Sequence, residues 1–263
     1  MARRIGEKFQ KLKSRGEKAF IPFIMAGDPD LETTVRLVPE LERAGSHIVE
    51  LGIPFSDPIA DGPTIQRAGA RALRHQYKLS DYLRAVEAVR HATEVPLLLF
   101  SYFNPIYRYG LEALARDARV AGVDGVLVTD ITPEESGPYC ASMERHGLDC
   151  VFLAAPTSSA ERIAKIAGCS RGFVYVVSRT GTTGAQQELS RGILPTVERV
   201  RLHTQLPVAV GFGISMPEQV RAVWEISDGA VVGSAIVAEM EKTDDARAIP
   251  SRVANFCRWL IGS

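Results

Sequence analysis

Residues 47–63 read HIVELGIPFSDPIADGP, an apolar run followed by a loop rich in proline and glycine. The run is typical of a buried β-strand, but Glu50 interrupts it, and burying a lone carboxylate costs several kcal/mol or makes it take up a proton. The loop is stiffened by prolines and carries Asp61, eleven residues after Glu50. Two carboxylates in such different surroundings can divide acid and base roles between them. The alternative is that Glu50 pairs with a cation and Asp61 only caps the helix beginning after Pro63.

Short apolar runs alternate with longer amphipathic stretches from Lys18 onward. The runs are apolar on both faces, as the strands of a covered parallel sheet are. Eight are predicted strands: Ala19–Met25, His47–Gly52, Pro96–Tyr102, Gly125–Thr129, Cys150–Ala154, Gly172–Ser178, Pro207–Gly211 and Gly229–Val232. Strand-then-helix repeated eight times without a linker favours a TIM (β/α)8 barrel, formed as a single domain by residues 1–263. A doubly wound open sheet is the alternative, but its first turn is usually a glycine-rich dinucleotide turn, and here residues 26–30 read AGDPD.

The stretches between the strands have the apolar spacing of helices that pack one face against a sheet. Three examples are Leu31–Ala44, Leu111–Ala121 and Thr196–Leu206. After Asp130 the sequence TPEES predicts a helix with Thr132 as its N-cap, Pro133 in its first turn and Glu135 completing a capping box.

Three segments lie outside the repeat and are expected to pack rather than to carry chemistry. Ile5–Leu12 is predicted to be a short helix that plugs the barrel floor, and Gln66–Val95 is long enough for two helices that break near residues 77–78. Ile236–Ser263 is predicted to carry a final helix with one buried stripe: Val253, Phe256, Trp259 and Leu260.

Charge and cysteine content exclude several classes of function. The 31 basic and 31 acidic side chains balance, and no basic stripe supports binding of nucleic acid. The four cysteines include no CxxC pair, which argues against a disulfide framework or a zinc site and fits a reducing cytoplasm. The histidines fall at strand starts or on helices, so no metal site is expected. The charged N-terminus has no apolar signal core and no later run is long enough to cross a membrane, so a soluble cytoplasmic protein is expected.

Glycines mark the loops after the sixth, seventh and eighth predicted strands. In a parallel barrel the active site forms at the carboxyl ends of the strands, where these loops lie, and the loops after the last two strands commonly bind phosphate. Backbone N–H groups beside small residues can surround an anion, and a helix that starts there adds a favourable dipole. One glycine motif is weak evidence because tight turns favour glycine anyway, but three in consecutive loops predict a phosphate site. The motifs are SRTGTTGAQ with Gly181 and Gly184, GFGIS with Gly211 and Gly213, and VGSAIV with Gly233 and Ser234.

Five motifs together closely resemble the tryptophan synthase alpha subunit family. In chain order between Phe20 and Val237 they are ELGIPFSDPIADGPTIQ, LLFSYFNPIYRYG, VSRTGTTG, GFGIS and GSAIV. The resemblance implies a TIM barrel that cleaves indole-3-glycerol phosphate to indole and glyceraldehyde 3-phosphate. It also implies no cofactor and no metal in this chain, and a partner β subunit that contains pyridoxal phosphate (PLP), receives indole through a tunnel and assembles as an α-β-β-α complex.

The resemblance also assigns roles to individual positions. It makes Glu50 and Asp61 the catalytic pair. Its phosphate site corresponds to Gly184, Gly213, Gly233 and Ser234. Its indole pocket corresponds to Phe23, Phe100, Leu127, Thr129 and Phe212, with Tyr175 supporting the catalytic glutamate and Thr183 reaching Asp61 from a mobile loop, Arg179–Ser190. Its partner-facing loops include Pro54, Asp57, Asn104 and Pro133.

The sequence departs from the family at two places. Residues 130–133 read DITP where the family often has proline directly after Asp-Leu, which affects partner contact, and Thr182 replaces an aliphatic residue of the mobile loop. Three other functions are considered: a stand-alone lyase that releases indole, a non-catalytic phosphate-binding activator of a partner, and a phosphate-binding barrel isomerase. The catalytic pair argues against the second, and the lack of a suitable histidine or lysine at the strand ends argues against the third.

Overall fold

The barrel is closed by parallel pairing of neighbouring strands. The computed structural model describes residues 3–177, 186–211 and 213–262, and only the backbone of 186–192. Within these residues eight strands pair in chain order and β8 pairs with β1. The strands are β1 Ala19–Met25, β2 Val49–Gly52, β3 Leu97–Ser101, β4 Gly125–Val128, β5 Asp149–Ala154, β6 Val174–Val177, β7 Val208–Gly211 and β8 Gly229–Val232. The TIM fold is confirmed, and no predicted strand end is displaced by more than two residues.

Twelve helices of the described chain surround or cap the barrel. They are α1 Arg4–Ser14, α2 Leu31–Arg43, α3 Pro63–Leu73, α4 Leu79–Arg90, α5 Phe103–Tyr109, α6 Leu111–Ala121, α7 Gly137–Arg145, α8 Ala160–Cys169, α9 Gln186–Arg201, α10 Pro217–Ile226, α11 Ser234–Met240 and α12 Ile249–Ile261. The predicted break within Gln66–Val95 is confirmed between α3 and α4. None of the described helices is both long enough and apolar enough to cross a membrane.

Alternation along each strand divides the core into an outer layer and a barrel interior. Val49 and Leu51 of β2 pack in the cluster between strands and helices, whereas Ile48 belongs to the cluster that fills the barrel. Because strand side chains alternate in direction, Glu50 shares the inward direction of Ile48. The period of two therefore places the carboxylate inside the barrel.

Helix α1 closes the barrel floor, as predicted. Its Ile5, Phe9 and Leu12 are buried in the cluster that fills the barrel interior. Arg3, just before α1, reaches the buried carboxylate of Asp149, with Nη1 2.9 Å from Oδ1. A cavity of about 720 Å³ opens beside α1 at this floor, at the opposite end from the loops that follow the strands.

The predicted start of α7 is wrong. The Glu135 N–H donates to the Thr132 carbonyl at 3.1 Å, and the Thr132 hydroxyl donates to the Glu135 carboxylate at 3.0 Å, so these residues form a single turn. The helix begins only at Gly137. Pro138 explains the delay, because proline has no N–H for a preceding turn but fits the first turn of a new helix.

Two predicted helices near the C-terminus also differ from the structure. Helix α9 covers Gln186–Arg201 rather than Thr196–Leu206, and ends before the residues that lead to Pro207. The predicted final helix is α12, and a short helix that was not predicted, α11, precedes it. On α12 the buried stripe follows Val253, Cys257 and Leu260, whereas Trp259 is 47% exposed. Trp259 instead stacks on half-buried Phe256, with 5.4 Å between ring centroids.

Candidate active site

Glu50 lies within β2 with its side chain inside the barrel, and the residue is 1% exposed. The parallel register places it beside Phe23 of β1 and Leu98 of β3. Neither of its carboxylate oxygens has a hydrogen-bond partner among the described residues. Burial raises the pKa of Glu50 well above its usual value, because a charged carboxylate there would lose its hydration without gaining a compensating contact. Burial therefore favours the neutral form of Glu50, and no ion pair of Glu50 is present among the described residues.

Tyr175 on β6 shares the barrel interior with Glu50. It is 4% exposed, and its pKa is raised well above the usual value, first by burial and then by the negative charge that Glu50 would carry. Its hydroxyl occupies the space over Gly211 of β7, where an added Cβ would lie 2.1 Å from the Tyr175 oxygen. Gly211 is thus required for the tyrosine to lie where it does, which gives that glycine a packing role besides any in phosphate binding.

Asp61 lies in the loop between β2 and α3 and is half-buried. It does not cap α3, because the N-cap residue is Gly62 and no side chain caps that end. Partial burial raises the pKa of Asp61, while a hydrogen bond from the Tyr102 hydroxyl lowers it. The same hydroxyl accepts the N–H of Ala60 at 3.0 Å. Tyr102 therefore supports both the backbone and the carboxylate of this loop.

Tyr102 is the functional candidate that sequence reasoning missed. From the sequence it reads as a core residue at the end of an apolar strand, and it is indeed 4% exposed. Its ring packs on Phe55 of the loop after β2, with 5.2 Å between centroids. The available signal was its place directly after β3, at the strand end where the site forms.

Phe23 and Phe100 form an apolar wall beside Glu50. Their rings meet edge to face with centroids 5.3 Å apart. The ring of Phe23 lies so close to Gly52 that a Cβ added there would be 2.5 Å from Cζ. Phe23 also lies beside Gly233, because a Cβ added to Gly233 would be 3.5 Å from the Cβ of Phe23. One phenyl ring therefore links the strand that carries Glu50 to the loop that follows β8.

Two further pocket candidates follow from β4. Leu127 is fully buried in the barrel interior and pairs in register with Phe100. Thr129 lies just past the strand, is half-buried, and directs its hydroxyl at the carbonyl of Ser101 at 3.3 Å. Both lie on the same side of the barrel as the pair of phenylalanines.

The loops after β7 and β8 bring together the described members of the predicted phosphate site. Gly213 has φ +76°, a conformation that favours glycine, and it is exposed. Gly233 directly follows β8 and Ser234 is the first residue of α11. In the first turn of α11 the N–H groups of Ile236 and Val237 donate to the Gly233 carbonyl, at 2.9 and 3.0 Å. The earliest N–H groups of a helix have no acceptor within it, so this end of α11 suits an anion. Neighbouring strands therefore place these residues at one end of the barrel.

Several predicted positions lie outside the described residues, namely Thr183, Gly184 and Phe212, together with most of the loop Arg179–Ser190. Among the proposed partner-facing residues, Asp57 and Asn104 are exposed and Pro133 is half-buried, whereas Pro54 is buried. Within residues 3–177, 186–211 and 213–262, no three histidine, cysteine or acidic side chains are grouped so that they could hold a metal ion.

Comparison with known proteins identifies the family. The family model described as tryptophan synthase alpha chain matches residues 9–260. The chain belongs to the tryptophan synthase alpha chain family. A curated alpha chain from Solibacter usitatus is 50% identical over 98% of this chain and 96% of its own length. One from Roseiflexus castenholzii is 43% identical over 98% and 99%.

Solved structures of tryptophan synthase share the fold. The alpha subunit from Legionella pneumophila superposes with a TM-score of 0.89 at 38% identity, covering 100% of this chain and 99% of that one. A chain of tryptophan synthase from M. tuberculosis in an aminoacrylate-bound form gives 0.88 at 35% identity, with 99% of each chain covered. The reaction of this alpha chain family is the cleavage of indole-3-glycerol phosphate to indole and glyceraldehyde 3-phosphate. The chain is a carbon–carbon lyase of tryptophan biosynthesis.

Proposed function

We propose that Glu50 carries the protons of this lyase reaction and that Asp61 holds the indole ring through its N–H. The observation that supports this best is a glutamic acid buried within the barrel, kept neutral by burial and without a hydrogen-bond partner among the described residues. A carboxylic acid held in its neutral form can donate its proton to a substrate that binds beside it.

The chemistry requires two proton transfers at one place. The intact aromatic ring cannot accept the bonding electrons, so C3 of indole must first become tetrahedral. Glu50 donates its proton to C3, which leaves a carboxylate and an indolenine cation. The Glu50 carboxylate then removes the proton of the C3′ hydroxyl, the C3–C3′ bond breaks, its electrons return to the ring, and C3′ becomes the aldehyde carbon of glyceraldehyde 3-phosphate. Glu50 is neutral again at the end of the cycle.

Asp61 is suited to a different task. As a carboxylate it accepts the indole N–H and stabilises the positive charge that protonation at C3 places on the ring. The Tyr102 hydroxyl favours the charged form by hydrogen bonding, although partial burial opposes it. The two carboxylates therefore differ in surroundings in the way that a division of roles needs.

The phosphate of the substrate is proposed to lie against Gly213, Gly233 and Ser234, with Gly184 from the loop outside the described residues. Phe23 lies beside Gly233 and next to Glu50 in register, so a phosphate at this end and an indole against Phe23 and Phe100 would place the bond between them near Glu50. Remote binding of phosphate would then hold the reacting carbon atoms in position.

Membership of an alpha chain family implies a β subunit as partner. We propose that the two assemble as an α-β-β-α complex, that PLP belongs to the β subunit, and that this chain needs no cofactor, because its reaction uses acid–base steps alone. Two large apolar side chains are exposed at the end of the barrel where the loops after the strands lie: Ile59 is 86% exposed and Tyr107 is 66% exposed. Ile59 lies in the loop after β2 and Tyr107 on α5, and large apolar side chains exposed in this way fit a protein interface.

The proposal also covers the cellular compartment and the domain organisation. The four cysteines are free, which fits a reducing cytoplasm. The whole chain, residues 1–263, is proposed to act as one domain, since α1 at one terminus plugs the barrel and α12 at the other packs on α2.

The decisive experiment replaces Glu50 by glutamine and measures release of indole, with and without a β subunit. The amide cannot transfer protons, and general acid–base groups contribute about 10²–10⁴-fold. The matched control is Asp149→Asn, which neutralises another fully buried acid at the opposite end of the barrel. We expect the control to keep its turnover per folded molecule. A folded Glu50→Gln protein with more than roughly a tenth of wild-type turnover would remove Glu50 from the mechanism. Release of indole by the wild-type chain alone would favour the stand-alone lyase.

A further inference from the structure

An ion-pair network of four side chains joins the loop after β1 to α3 and to the end of α11; its members are Asp28, Arg67, Arg71 and Glu241. Arg71 donates from Nε and Nη2 to the two carboxylate oxygens of Asp28, each at 2.7 Å. Its Nη1 donates to Glu241 Oε1, also at 2.7 Å. Arg67 donates to Glu241, from Nη2 to Oε2 at 2.8 Å and from Nε to Oε1 at 3.1 Å. Arg71 is thus the member that joins all three elements.

We propose that Arg71 is a positioning residue for the lyase reaction, holding the helix that follows Asp61 and the helix that begins the phosphate site in a fixed relation. This inference rests on the proposed function, because it assigns Asp61 to the ring and Gly233 and Ser234 to the phosphate.

The positions of Arg71 and Glu241 on their helices carry the argument. Helix α3 begins at Pro63, two residues after Asp61, and Arg71 lies in its last turn. Helix α11 begins at Ser234 and has only seven residues, about 10 Å in length, with Glu241 as its C-cap. A helix this short moves as a rigid rod, so fixing Glu241 limits where Ser234 can lie.

The packing beneath the network transmits the same constraint to the pocket. Ile65 and Ala68 of α3 and Val237 of α11 are buried together with Met25 and Phe23 of β1. Because close-packed cores transmit displacement rather than absorb it, a shift of α3 against α11 would move the ring of Phe23. That ring lies beside both Gly52 and Gly233.

The network is suited to positioning rather than to binding an anion itself. All three guanidinium nitrogen atoms of Arg71 already donate to carboxylates at 2.7 Å. Two arginines and two acids leave the group without net charge. Hydrogen bonds from Arg67, and then those from Arg71, lower the pKa of Glu241 to about 2, so this acceptor stays charged at neutral pH. Arg71 therefore acts through the elements it joins.

Arg67 provides a matched control, because it lies one turn earlier on α3 and shares the acceptor Glu241, but among the described residues it makes no hydrogen bond to Asp28. The test compares Arg71→Met and Arg67→Met in kcat, KM, calorimetric affinity for glycerol phosphate and melting temperature. We expect Arg71→Met to lower kcat about 10- to 100-fold, since a displacement of about 1 Å can cost that much, and to weaken glycerol phosphate binding about fivefold. Arg67→Met should stay within about twofold of wild type in both.

Arg71→Lys serves as the conservative variant. An ammonium group cannot form paired bonds with Asp28 and reach Glu241 at once, so we expect its kcat between those of wild type and Arg71→Met. If Arg71→Met fails to fold, Arg71→Lys is judged alone, and a kcat at least about fivefold below wild type supports the inference.

A purely structural role would lower the melting temperature of Arg71→Met and leave kcat and glycerol phosphate affinity of the folded enzyme within twofold of wild type. That result, or an equal effect of Arg67→Met on kcat, overturns the inference. The proposed function is tested separately, because Glu50→Gln would remain inactive whatever Arg71 does. If the Arg71 variants refute the positioning role while Glu50→Gln is inactive, the assignment of Glu50 therefore still stands.

Discussion

Replacing Glu50 by glutamine is expected to stabilise the fold increasingly as the pH rises, while it abolishes activity. Glu50 is buried without a hydrogen-bond partner among the described residues, and its pKa is raised well above the usual value. Over the range between the unfolded and folded pKa, the folded protein therefore holds one proton more than the unfolded chain. Stability from this group is present below the unfolded pKa and falls as the pH rises, because the folded state must either keep its proton or bury a charge.

The size of the effect follows from the proton count. Glutamate in an unfolded chain has a pKa of about 4.3. Above that value the free energy of unfolding of the wild type should fall by about 1.4 kcal/mol per pH unit through this one group, until the folded pKa is reached. Glutamine does not titrate, so the difference in unfolding free energy between the variant and wild type should grow with that slope and then become constant. The pH of the bend reports the folded pKa of Glu50.

Urea unfolding of both proteins at half-unit intervals from about pH 4.5 to 8.5 measures the difference. Glu87→Gln, which removes an exposed carboxylate from α4, controls for the change in net charge. Other titrating groups are common to both proteins and cancel in the difference. A difference that stays flat across this range would mean that Glu50 is ionised in the folded protein at no cost, and the proposed neutral acid would be wrong.

Two further substitutions test the packing around the site. Gly52→Ala places a methyl group 2.5 Å from the ring of Phe23, and such overpacking should lower the unfolding free energy by about 1–3 kcal/mol, as measured by urea unfolding. The double variant Gly52→Ala/Phe23→Leu should recover part of this loss. An unchanged unfolding midpoint of Gly52→Ala would contradict the contact. Tyr102→Phe removes the hydroxyl that lowers the pKa of Asp61 and accepts the Ala60 N–H. The acid limb of the pH profile of kcat/KM should therefore move to higher pH, and turnover should fall about tenfold. An acid limb that does not move would show that the pKa of Asp61 does not depend on Tyr102.

Much of the fold follows from local patterns along the chain. Each strand is a short apolar run between turn residues. Where the pattern was ambiguous, prediction failed. The capping residues at Thr132–Glu135 form the bonds expected of them but close a single turn, because Pro138 prevents a helix from continuing through it. On α12, Trp259 fits the helical spacing yet lies on the exposed edge of the buried stripe.

The candidate site divides in the same way. Glu50 was recognisable from the sequence, because a charge inside an apolar strand is costly wherever the strand packs. The role of Tyr102 was not, because it depends on the loop after β2 folding over the end of β3, and apolar sequence around a tyrosine predicts burial without naming its hydrogen-bond partner.

The sequence by itself determined the order of strands and helices, the buried carboxylate of Glu50 and the glycines at the strand ends, since each of these depends on residues near in the chain. Only the tertiary structure decided which distant residues meet. Asp28 and Glu241 are separated by most of the chain, and closure of the barrel between β1 and β8 brings them to the same arginine. Gly52 and Phe23 also meet only across the pairing of β1 with β2. Local propensity is silent on such contacts, because their geometry is set by strand register and by the closed sheet.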